Sequence, residues 1–536
     1  MAEVRRASAV LAAGTMVSRV LGFVNMFVLA LAIGTYGSAA NSFAAANQLP
    51  NTIYVIVAGG VLNAVLVPQI VRAGLHADGG RAYINKLLTI AIVILGLTTL
   101  VATALAPVLV RVTVSGFNEA QTNLATVFAF WCLPQIFFYG MYTVLGEVLN
   151  ARSVFGPFTW APVFNNVIAI IGFALFMLFF GSDPEGARTV ADFSGGMITT
   201  IGATATLGVA TQAIVLILFW RRSGLSFRPD FHWRGVGLRE VGRMASWTFG
   251  MLMVTTLTGV VQSNVASLAD ADDPSVSVLS RSWLIFMLPH SIVTVSIATA
   301  YFTRMSAAGA SGRMSELKAD ISAAIRAVTL LIMAATAGLI VLAFPFARLF
   351  TKTFYQTQSM GFVIIANVVG LLSFTLLFVV QRAFYALGDT KTPFYFTLAE
   401  GIVFTLILIG CAMLPSPYIA IGVALGQSVA TTVQMALAWY LLRRRIGTFD
   451  GRRIGASLTR YAVAAVPAAL LGWLVLTALG ATHDGGFGVS GKPQAVVTMI
   501  AAGAVVAAVY FSLLIALRVP ELRGVLAPLA ARIRRR

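Results

Sequence analysis

Residues 14–25 read GTMVSRVLGFVN and lie inside an apolar run at 9–33 whose only charged residue is Arg19. A run of about 20 apolar residues is long enough to cross a bilayer as a helix, and similar runs follow along the whole chain. The composition agrees, because 58% of the 536 residues are hydrophobic and only 10% are charged, whereas soluble domains carry about 25% charged residues. The sequence therefore predicts an all-α polytopic membrane protein.

The charges between the apolar runs predict the number and the orientation of the spans. We predict fourteen transmembrane helices, near 9–33, 42–71, 87–110, 121–146, 158–181, 198–220, 244–268, 276–303, 325–347, 360–381, 393–414, 417–442, 461–480 and 494–517. Most of the 37 Lys and Arg residues lie in the N-terminus, in every second loop and in the C-terminus. Because cations accumulate on the cytoplasmic side of membrane proteins, both termini are predicted to be cytoplasmic. This alternation requires an even number of spans.

The two halves of the chain share sequence features at corresponding positions. A polar turn precedes Pro-Phe in both halves, in LNARSVFGPF (149–158) and in FYALGDTKTPF (384–394). A proline also lies partway through a span in both halves, in NQLP (47–50) and in FMLP (286–289). Equivalent spans run in the same direction, so we predict a parallel repeat of two six-helix lobes. The predicted domains are an N-terminal lobe 1–222, a cytoplasmic linker 223–243, a C-terminal lobe 244–445, and two extra helices with a basic tail 446–536.

Several function classes are excluded by the sequence. The net charge of +18 is placed in short loops rather than on a nucleic-acid-binding face. The chain has no GxxxxGK[ST], HExxH or GxSxG motif, and its two cysteines, Cys132 and Cys411, lie inside apolar runs. We therefore predict no enzyme, no cofactor, no metal site and no nucleic-acid partner. A transporter driven by an ion gradient or by the membrane potential fits better.

Arg19 is the first candidate functional residue. It lies about 20 Å along the helix from Arg6, too deep for its side chain to reach the inner interface easily. A charged residue at the centre of a membrane helix costs about 2.5–3.5 kcal/mol. Arg19 therefore either faces a wet cavity, where it can bind an anionic substrate, or caps backbone carbonyls between helices.

Three further ionisable residues lie within spans, where such groups usually have a function. Arg281 opens span eight and either lines the outer end of a cavity or pairs with an aspartate of the loop 270–273. His290 follows Pro289 and either contacts substrate or forms a hydrogen bond within the bundle. Glu400 lies about 12 Å into span eleven and either binds a coupling ion or proton or is a hydrogen-bonded structural carboxyl.

Span two is rich in amides, with Asn47, Gln48 and Asn51 clustered around Pro50 and with Gly60 further along. Asn47 and Asn51 share one helix face at i, i+4 spacing, and the proline frees a backbone carbonyl. We predict that this helix lines a cavity and bends during transport. The alternative is that the amides only tie the helices together.

Six segments of the chain resemble the signature of the lipid II flippase family, MurJ or MviN. They are SRVLGF (18–23), NQLPN (47–51), VLVPQI (65–70), LNARSVFGPFTWAPVFNN (149–166), MLPHSIVTVSIATAYFTRMS (287–306) and RAFYALGDTKTP (382–393). The resemblance covers the twelve-helix core, and the stretch ANQLPN looks most like actinobacterial members.

The resemblance implies a fold of the multidrug/oligosaccharidyl-lipid/polysaccharide exporter superfamily. Two six-helix lobes would form a V around a central cationic cavity, with the two C-terminal helices flanking a groove for a polyprenyl chain. The implied substrate is lipid II, the undecaprenyl-diphosphate-linked peptidoglycan precursor, turned from the inner to the outer leaflet of the bacterial plasma membrane by alternating access. The implied partners are lipid II, membrane lipids and proteins of cell-wall synthesis and division, and the implied state is a monomer.

The candidate residues are assigned on this basis. Substrate binding is expected at Arg19, Asn25, Asn47, Gln48, Asn51, Arg281 and His290. Ion or proton coupling is expected at Glu400. The structural motif residues are expected to be Pro50, Gly60, Asn150, Pro162, Asn166, Pro289, Asp389 and Pro393.

The chain also departs from the family pattern. Many members carry an arginine and an acidic residue just after LGF, where this chain has Val-Asn-Met at 24–26. An acidic position is Asn41 here, and an arginine position after LPN is Tyr54. The span-eight arginine position falls near Leu284, and we expect Arg281 to substitute for it from roughly the same helix face. The predicted cavity is therefore less charged than the family pattern implies.

Two other functions compete with the flippase. One is an exporter of the same fold that carries another lipid-linked glycan or a small-molecule drug. The other is a scaffold without transport activity, which would recruit cell-wall enzymes through its cationic loops. The scaffold predicts that Arg19→Ala is tolerated.

Overall fold

The computed structural model describes residues 2–57, 81–152, 154, 156–222, 226–231 and 238–522. Within these ranges every regular element is a helix, which confirms the all-α membrane fold class. Thirteen helical segments among them are long and apolar enough to cross a membrane, and each corresponds to one of the fourteen predicted spans. The remaining predicted span, 42–71, corresponds to the helix Ser38–Val57 as far as residue 57; the rest of it, with Gly60, lies outside the described residues.

Packing divides the chain into two compact units, Met1–Ser277 and Val278–Arg536. The domain boundaries predicted from the sequence stay a prediction. The helices of the first unit are α1 Ala2–Ile33, α2 Ser38–Val57, α3 Arg81–Ala104, α4 Ala106–Thr113, α5 Glu119–Cys132, α6 Gln135–Ala151, α7 Gly156–Phe180, α8 Gly195–Arg222 and α9 Leu238–Ala266.

In the first unit, α7 packs against α1 and α8, while α2 packs against α5 and α3 against α6. Lipid tails are as apolar as the side chains, so helices in a membrane associate through close van der Waals packing rather than through the hydrophobic effect. Small residues allow this close approach. Gly172 of α7 shows this, since a Cβ atom there would lie 2.1 Å from Cγ2 of Thr204 on α8. The helix α9 contacts α2 and α4 and so belongs to this unit.

The second unit contains the remaining helices of the described ranges, the first of which begins two residues before the boundary, at Val276 and Ser277 of the first unit. They are α10 Val276–Pro289, a π-helical turn His290–Thr294, α11 Val295–Ala310, α12 Met314–Val341, α13 Ala343–Arg348, α14 Phe354–Val368, α15 Leu371–Ala386, α16 Lys391–Cys411, α17 Ser416–Ile446, α18 Gly451–Ala478, α19 Phe487–Ser490 and α20 Lys492–Ala516. Its main core joins α12 and α15 through buried Ile325, Val328, Val380 and Phe384.

The two C-terminal helices, α18 and α20, pack on each other and on α12. The hydroxyl of Tyr510 on α20 donates to the Leu330 carbonyl of α12 at 2.7 Å. At the predicted inner end, Arg326 of α12 forms a buried ion pair with Glu521. Arg326 also donates a hydrogen bond to the backbone carbonyl of Ser322. The side-chain hydroxyl of Ser322 in turn donates to Asp450 at 2.8 Å. Polar contacts therefore attach the C-terminal part of the chain to α12.

The structure differs from the predicted spans at several helix ends, and it divides the predicted spans 87–110, 121–146 and 360–381 into two helices each. The predicted span 325–347 begins earlier, at Met314, because a polar first turn with Glu316 extends α12 beyond the apolar run. The predicted span 360–381 is two helices, α14 and α15, which meet at residues 369–370. Apolar runs predict the positions of the spans well. They do not predict polar helical turns outside the hydrocarbon layer, or interruptions of a helix inside it.

Candidate substrate-transport site

Arg19 lies in the middle of α1 with an exposed side chain. It forms no ion pair or side-chain hydrogen bond within the part of the chain that the structure describes. The sequence left two interpretations of Arg19 open. The structure shows no backbone carbonyl bonded to the Arg19 side chain among the described residues, so it gives no support to the capping interpretation. An exposed guanidinium with free donors can bind an anion.

The backbone beside Arg19 is held by α7. The Asn166 amide nitrogen donates to the Ser18 carbonyl at 3.1 Å and also to the Pro162 carbonyl at 3.1 Å. Pro162 has no N–H, so it leaves the Phe158 carbonyl without its usual helical partner. The Tyr142 hydroxyl donates to that carbonyl at 2.9 Å. These motif residues therefore fix the α1–α7 seam next to the exposed arginine.

Asn25, which stands where the resemblance implies an arginine, is only half-buried. Its amide oxygen is buried and has no hydrogen-bond partner within the described residues. An unpaired buried carbonyl oxygen costs about 1–3 kcal/mol and accepts hydrogen bonds from donors. It does not supply the positive charge that a diphosphate requires.

The span-two amides fall into two groups. Asn47 accepts from the Gln135 amide at 3.1 Å, and the same amide reaches Thr206 at 3.3 Å. Gln48 and Asn51 are exposed, and their side chains form no hydrogen bond within the described residues. Asn47 therefore ties α2 to its neighbours, whereas Gln48 and Asn51 stay open to a ligand. Within α2, Pro50 is buried in the middle of the helix.

Two positions where the resemblance implies charge hold neutral side chains with partners of their own. The oxygen of Asn41 accepts from the Ser277 backbone N–H at 3.1 Å. The Tyr54 hydroxyl lies 2.5 Å from that of Thr143. Glu147, one helical turn after Thr143, is a membrane-embedded acid that the sequence analysis missed because the apolar run ends before it.

A set of hydrogen bonds at the predicted outer end, here called the outer contact, joins α9 to the turn between α4 and α5. The Asn264 oxygen accepts from Ser115 N and Oγ at 3.0 and 2.6 Å, and its nitrogen donates to the Val112 carbonyl at 2.5 Å. The Gly116 N–H donates to the Ser267 hydroxyl at 3.0 Å. Sequence periodicity gives no signal for contacts between residues so far apart along the chain.

The turn that carries Ser115 and Gly116 is itself well fixed. Asn118 and Gln121 form a capping box at the start of α5, in which each side chain satisfies the other's backbone N–H. The Gln121 amide also donates to Ser38 at 2.9 Å, and Ser42 donates to the Gln121 carbonyl at 3.2 Å. The turn therefore moves with α2 and α5, and the outer contact joins α9 to this group.

Arg281 and Leu284 do not share an environment. Arg281 is 5% exposed, whereas Leu284 is 50% exposed. Three residues advance a helix by about 300°, so the two side chains leave the axis in directions roughly 60° apart. Arg281 therefore lies in the packed interior of the second unit rather than on the open face that Leu284 occupies.

His290 begins the π-helical turn that follows Pro289. Such turns shift the hydrogen-bond register and often occur at functional sites. The imidazole is 2% exposed and meets the rings of Phe374 and Phe378 edge-on at 4.6 and 5.2 Å. Its Nδ1 is buried without a partner in the described residues. His290 is thus enclosed by aromatic rings, and direct contact with substrate requires those rings to move.

These rings belong to a continuous aromatic seam between α10–α11 and α15. The members, each in contact with the next, are Trp283, Phe286, Phe374, His290, Phe378, Arg382 and Phe302. Arg382 lies at the predicted inner end of the seam. Arg382 is the first residue of the segment RAFYALGDTKTP (382–393), but it is not among the site residues predicted from the sequence.

Glu400 lies in a polar layer between α16 and α17. Its carboxylate accepts from the Gln427 amide at 3.2 Å, and that amide also reaches Thr431 at 3.3 Å. One turn away, Gln434 donates to Thr397 at 3.2 Å. The carboxylate is 8% exposed, and no cluster of three metal-ligating His, Cys, Asp or Glu side chains occurs in the described ranges.

The remaining motif residues lie at helix ends. Asp389 accepts from Thr392 N and Oγ1 at 2.9 and 2.7 Å and so caps the first turn of α16. Pro393 is buried in that turn, where proline is tolerated because the N–H has no helical partner. Asn150 lies in the last turn of α6.

Comparison with known proteins adds family information to this geometry. The chain matches the family model described as "Lipid II flippase MurJ" over residues 11–492. It is 26% identical over 468 residues to a protein of Haemophilus influenzae named probable lipid II flippase MurJ, covering 81% of this chain and 85% of that protein. A Rickettsia prowazekii protein of the same name is 27% identical over 454 residues and is covered to 82%, as is this chain.

Solved structures show a similar fold. A structure titled "Lipid II flippase MurJ, inward closed conformation" has a TM-score of 0.72 and 18% identity, and the match covers 94% of this chain and 99% of that one. An inward-facing multidrug resistance MATE family transporter of the MOP superfamily has a TM-score of 0.64 and 16% identity, with 80% and 94% covered. At these identities the likeness concerns the fold alone.

Proposed function

Because the chain belongs to the lipid II flippase MurJ family, we propose that it moves lipid II from the inner to the outer leaflet of the plasma membrane by alternating access. The family match carries this proposal, since it spans residues 11–492 and so covers most of each packing unit. The competing drug exporter has only fold-level support, from transporters 16% identical.

The exposed polar groups of the first unit support binding of a polar, anionic headgroup. Arg19 offers a guanidinium that no described carboxylate neutralises, and guanidinium suits phosphate because its fork donates two parallel hydrogen bonds. Gln48 and Asn51 offer exposed amides, which suit the sugar and peptide groups of lipid II. Asn25 adds an acceptor oxygen. Arg281 and His290 are buried in this state, and they act on substrate only after α10 and α15 rearrange.

The outer contact supports a state that is closed at the predicted outer end. Asn264 and Ser267 dock on residues 112–116 through four hydrogen bonds, one of which is donated by the Gly116 N–H. For release to the outer leaflet these groups separate and exchange their partners for water. Water makes comparable hydrogen bonds, so each contact contributes only about 0.5–1.5 kcal/mol net, which suits a reversible gate.

Glu400 is the proposed coupling site. A carboxylate held by amide and hydroxyl groups inside a membrane can take up a proton or an oxygen-coordinated cation, and the hydroxyl oxygen of Thr431 accepts from the same Gln427 amide nitrogen that donates to Glu400. Binding there would bias α16 and α17 between two arrangements. The chain acts as a multi-pass membrane transporter rather than an enzyme, with both termini cytoplasmic, as a monomer that works beside cell-wall synthesis and division proteins.

The test is complementation in bacterial cells depleted of their own flippase. The wild-type chain should restore growth and outer-leaflet lipid II, measured by a probe that reaches only the outer leaflet. A wild-type chain that is present in the membrane at normal level but restores neither result overturns the proposal.

The same assay separates the flippase from the scaffold. Arg19→Ala should abolish outer-leaflet lipid II, and Arg19→Lys should restore part of it because charge remains without the fork. Arg443→Ala is the matched control, since Arg443 is an exposed arginine at the end of α17 and should behave as wild type. Full activity of Arg19→Ala at normal expression contradicts the proposed role of Arg19 as a substrate cation.

A further inference from the structure

Arg382 is held by aromatic rings instead of by a counter-ion. Its guanidinium carbon lies 4.8 Å from the centre of the Phe378 ring and 5.2 Å from that of Phe302. It forms no ion pair and no side-chain hydrogen bond in the part of the chain described by the structure. Arg304, on the neighbouring α11, instead pairs with Asp320 at 2.6 Å.

The two rings leave the hydrogen-bonding capacity of Arg382 unused. Ring faces attract a cation through their quadrupole, but they do not accept the in-plane N–H groups of a guanidinium. A guanidinium has five such donors in a fixed fork, and phosphate oxygens match that fork. Contact with two rings also restricts the rotamers of the side chain before a ligand arrives, which lowers the entropic cost of binding.

The position of Arg382 suits a lipid phosphate. It lies one turn before the end of α15, ahead of the capped start of α16 at Asp389, at the end of the helices that the charge distribution assigns to the cytoplasm. Lipid phosphates lie at this level of a bilayer. The seam then continues from Arg382 through Phe378 to His290, so a headgroup bound here lies at one end of a continuous row of rings.

We propose that Arg382, positioned by Phe302 and Phe378, binds the diphosphate of the lipid-linked substrate where it enters from the inner leaflet. This inference rests on the proposed flippase function and deepens it. The phosphate chemistry fits a glycerophospholipid headgroup as well, so the experiment separates the two sources.

The experiment measures binding to the purified full chain in phosphatidylcholine nanodiscs. The probes are farnesyl diphosphate, farnesol and phosphatidylglycerol, compared across the wild type and variants. Arg382→Gln should weaken farnesyl diphosphate binding about tenfold or more, since it removes a charge-assisted contact. Arg382→Lys should recover part of the loss, and Phe302→Leu should weaken binding severalfold, because Phe302 contacts Arg382 through its ring.

Arg444→Gln is the matched control. Arg444 is exposed at the predicted inner end and lies 4.8 Å from a single ring, that of Tyr440. The control should bind farnesyl diphosphate as the wild type does. Equal binding by wild type and Arg382→Gln overturns the inference, as does an equal loss in Arg444→Gln. Competition by phosphatidylglycerol at the same concentration as farnesyl diphosphate also overturns it, because Arg382 then binds bulk lipid.

Complementation distinguishes failure of this inference from failure of the proposed function. If Arg382→Gln restores outer-leaflet lipid II at the wild-type rate, the Arg382 site is wrong while the flippase function stands. If the wild-type chain binds farnesyl diphosphate through Arg382 but does not complement, the flippase function is wrong while the site stands.

Discussion

Replacing Gly116 with alanine should open the outer contact. A Cβ atom at Gly116 would lie 2.7 Å from the carbonyl carbon and oxygen of Ser267 and from the Leu268 nitrogen. These are backbone atoms and cannot rotate away. Since non-bonded heavy atoms settle about 3.5–4.0 Å apart, the turn must retreat by about 1 Å. The hydrogen bond from Gly116 N to Ser267 Oγ, now 3.0 Å, then exceeds bonding distance.

The free-energy cost of Gly116→Ala to the docked state is the sum of a steric term and a lost hydrogen bond. Overpacking costs about 1–3 kcal/mol, and the hydrogen bond contributes about 0.5–1.5 kcal/mol. Together they disfavour the docked state by about 1.5–4.5 kcal/mol, or about 12- to 1,600-fold at 1.4 kcal/mol per tenfold. The backbone at Gly116 is outside the left-handed region, so alanine is not strained by itself. The effect of alanine on chain entropy is the same in the docked and undocked states.

The assay is a distance measurement between spin labels on cysteines introduced at Glu119 and Leu268, which flank the outer contact and are exposed. The native Cys132 and Cys411 are buried and can be replaced by alanine in the background. Gly116→Ala should shift most of the population to longer distances. Gly195→Ala is the control, because a Cβ there meets nothing within 4 Å. An unchanged distance distribution in folded Gly116→Ala protein refutes the reasoning.

Three further predictions concern separate regions. A disulfide between Ser115→Cys and Asn264→Cys should abolish flipping, and reduction should restore it; flipping by the oxidised protein would show that the contact need not open. Glu521→Leu alone should lower the free energy of unfolding by about 3–5 kcal/mol, because it leaves the buried charge of Arg326 unpaired. Adding Arg326→Met should recover most of this loss, as measured by thermal unfolding in detergent. Glu400→Gln should keep the wild-type unfolding temperature, since the amide still bonds its neighbours, but should lose ion- or proton-dependent flipping; unchanged dependence excludes this residue from coupling.

The membrane fold was predictable because each span must satisfy its own backbone hydrogen bonds in lipid. Each crossing is therefore a helix, and its side chains form a long apolar run because they lie in lipid. Such a run identifies the helix in the sequence without knowledge of the segments that pack against it. The ends of helices were less predictable. The helix α12 begins at Met314, in a polar stretch where packing rather than hydropathy decides the conformation. The π turn at His290 was also missed, although Pro289 marked the place where helical hydrogen bonds are interrupted.

The site was predictable only in part, because side-chain environments depend on packing between distant segments. Arg19 and Asn51 were selected by their polarity within apolar runs, and both side chains are exposed. Arg281 was selected by the same argument, yet it is buried, because helical periodicity could not tell which face packs inward. Arg382 was passed over because an arginine near a helix end is unremarkable in sequence, and only the structure places two rings around it.

The distribution of cations bears on how this chain tolerates mutation. Where a family member holds a diphosphate with several arginines, the loss of one leaves others to share the charge. Here Asn25 is neutral, and Tyr54 is engaged by Thr143, so neither can take over. Under the proposed function, Arg19 and Arg382 would each carry a larger share of the phosphate interaction, and charge-assisted contacts contribute about 1.5–3 kcal/mol apiece. Single substitutions of Arg19 or Arg382 should therefore be more damaging in this chain than the loss of one arginine in a relative that keeps the full set.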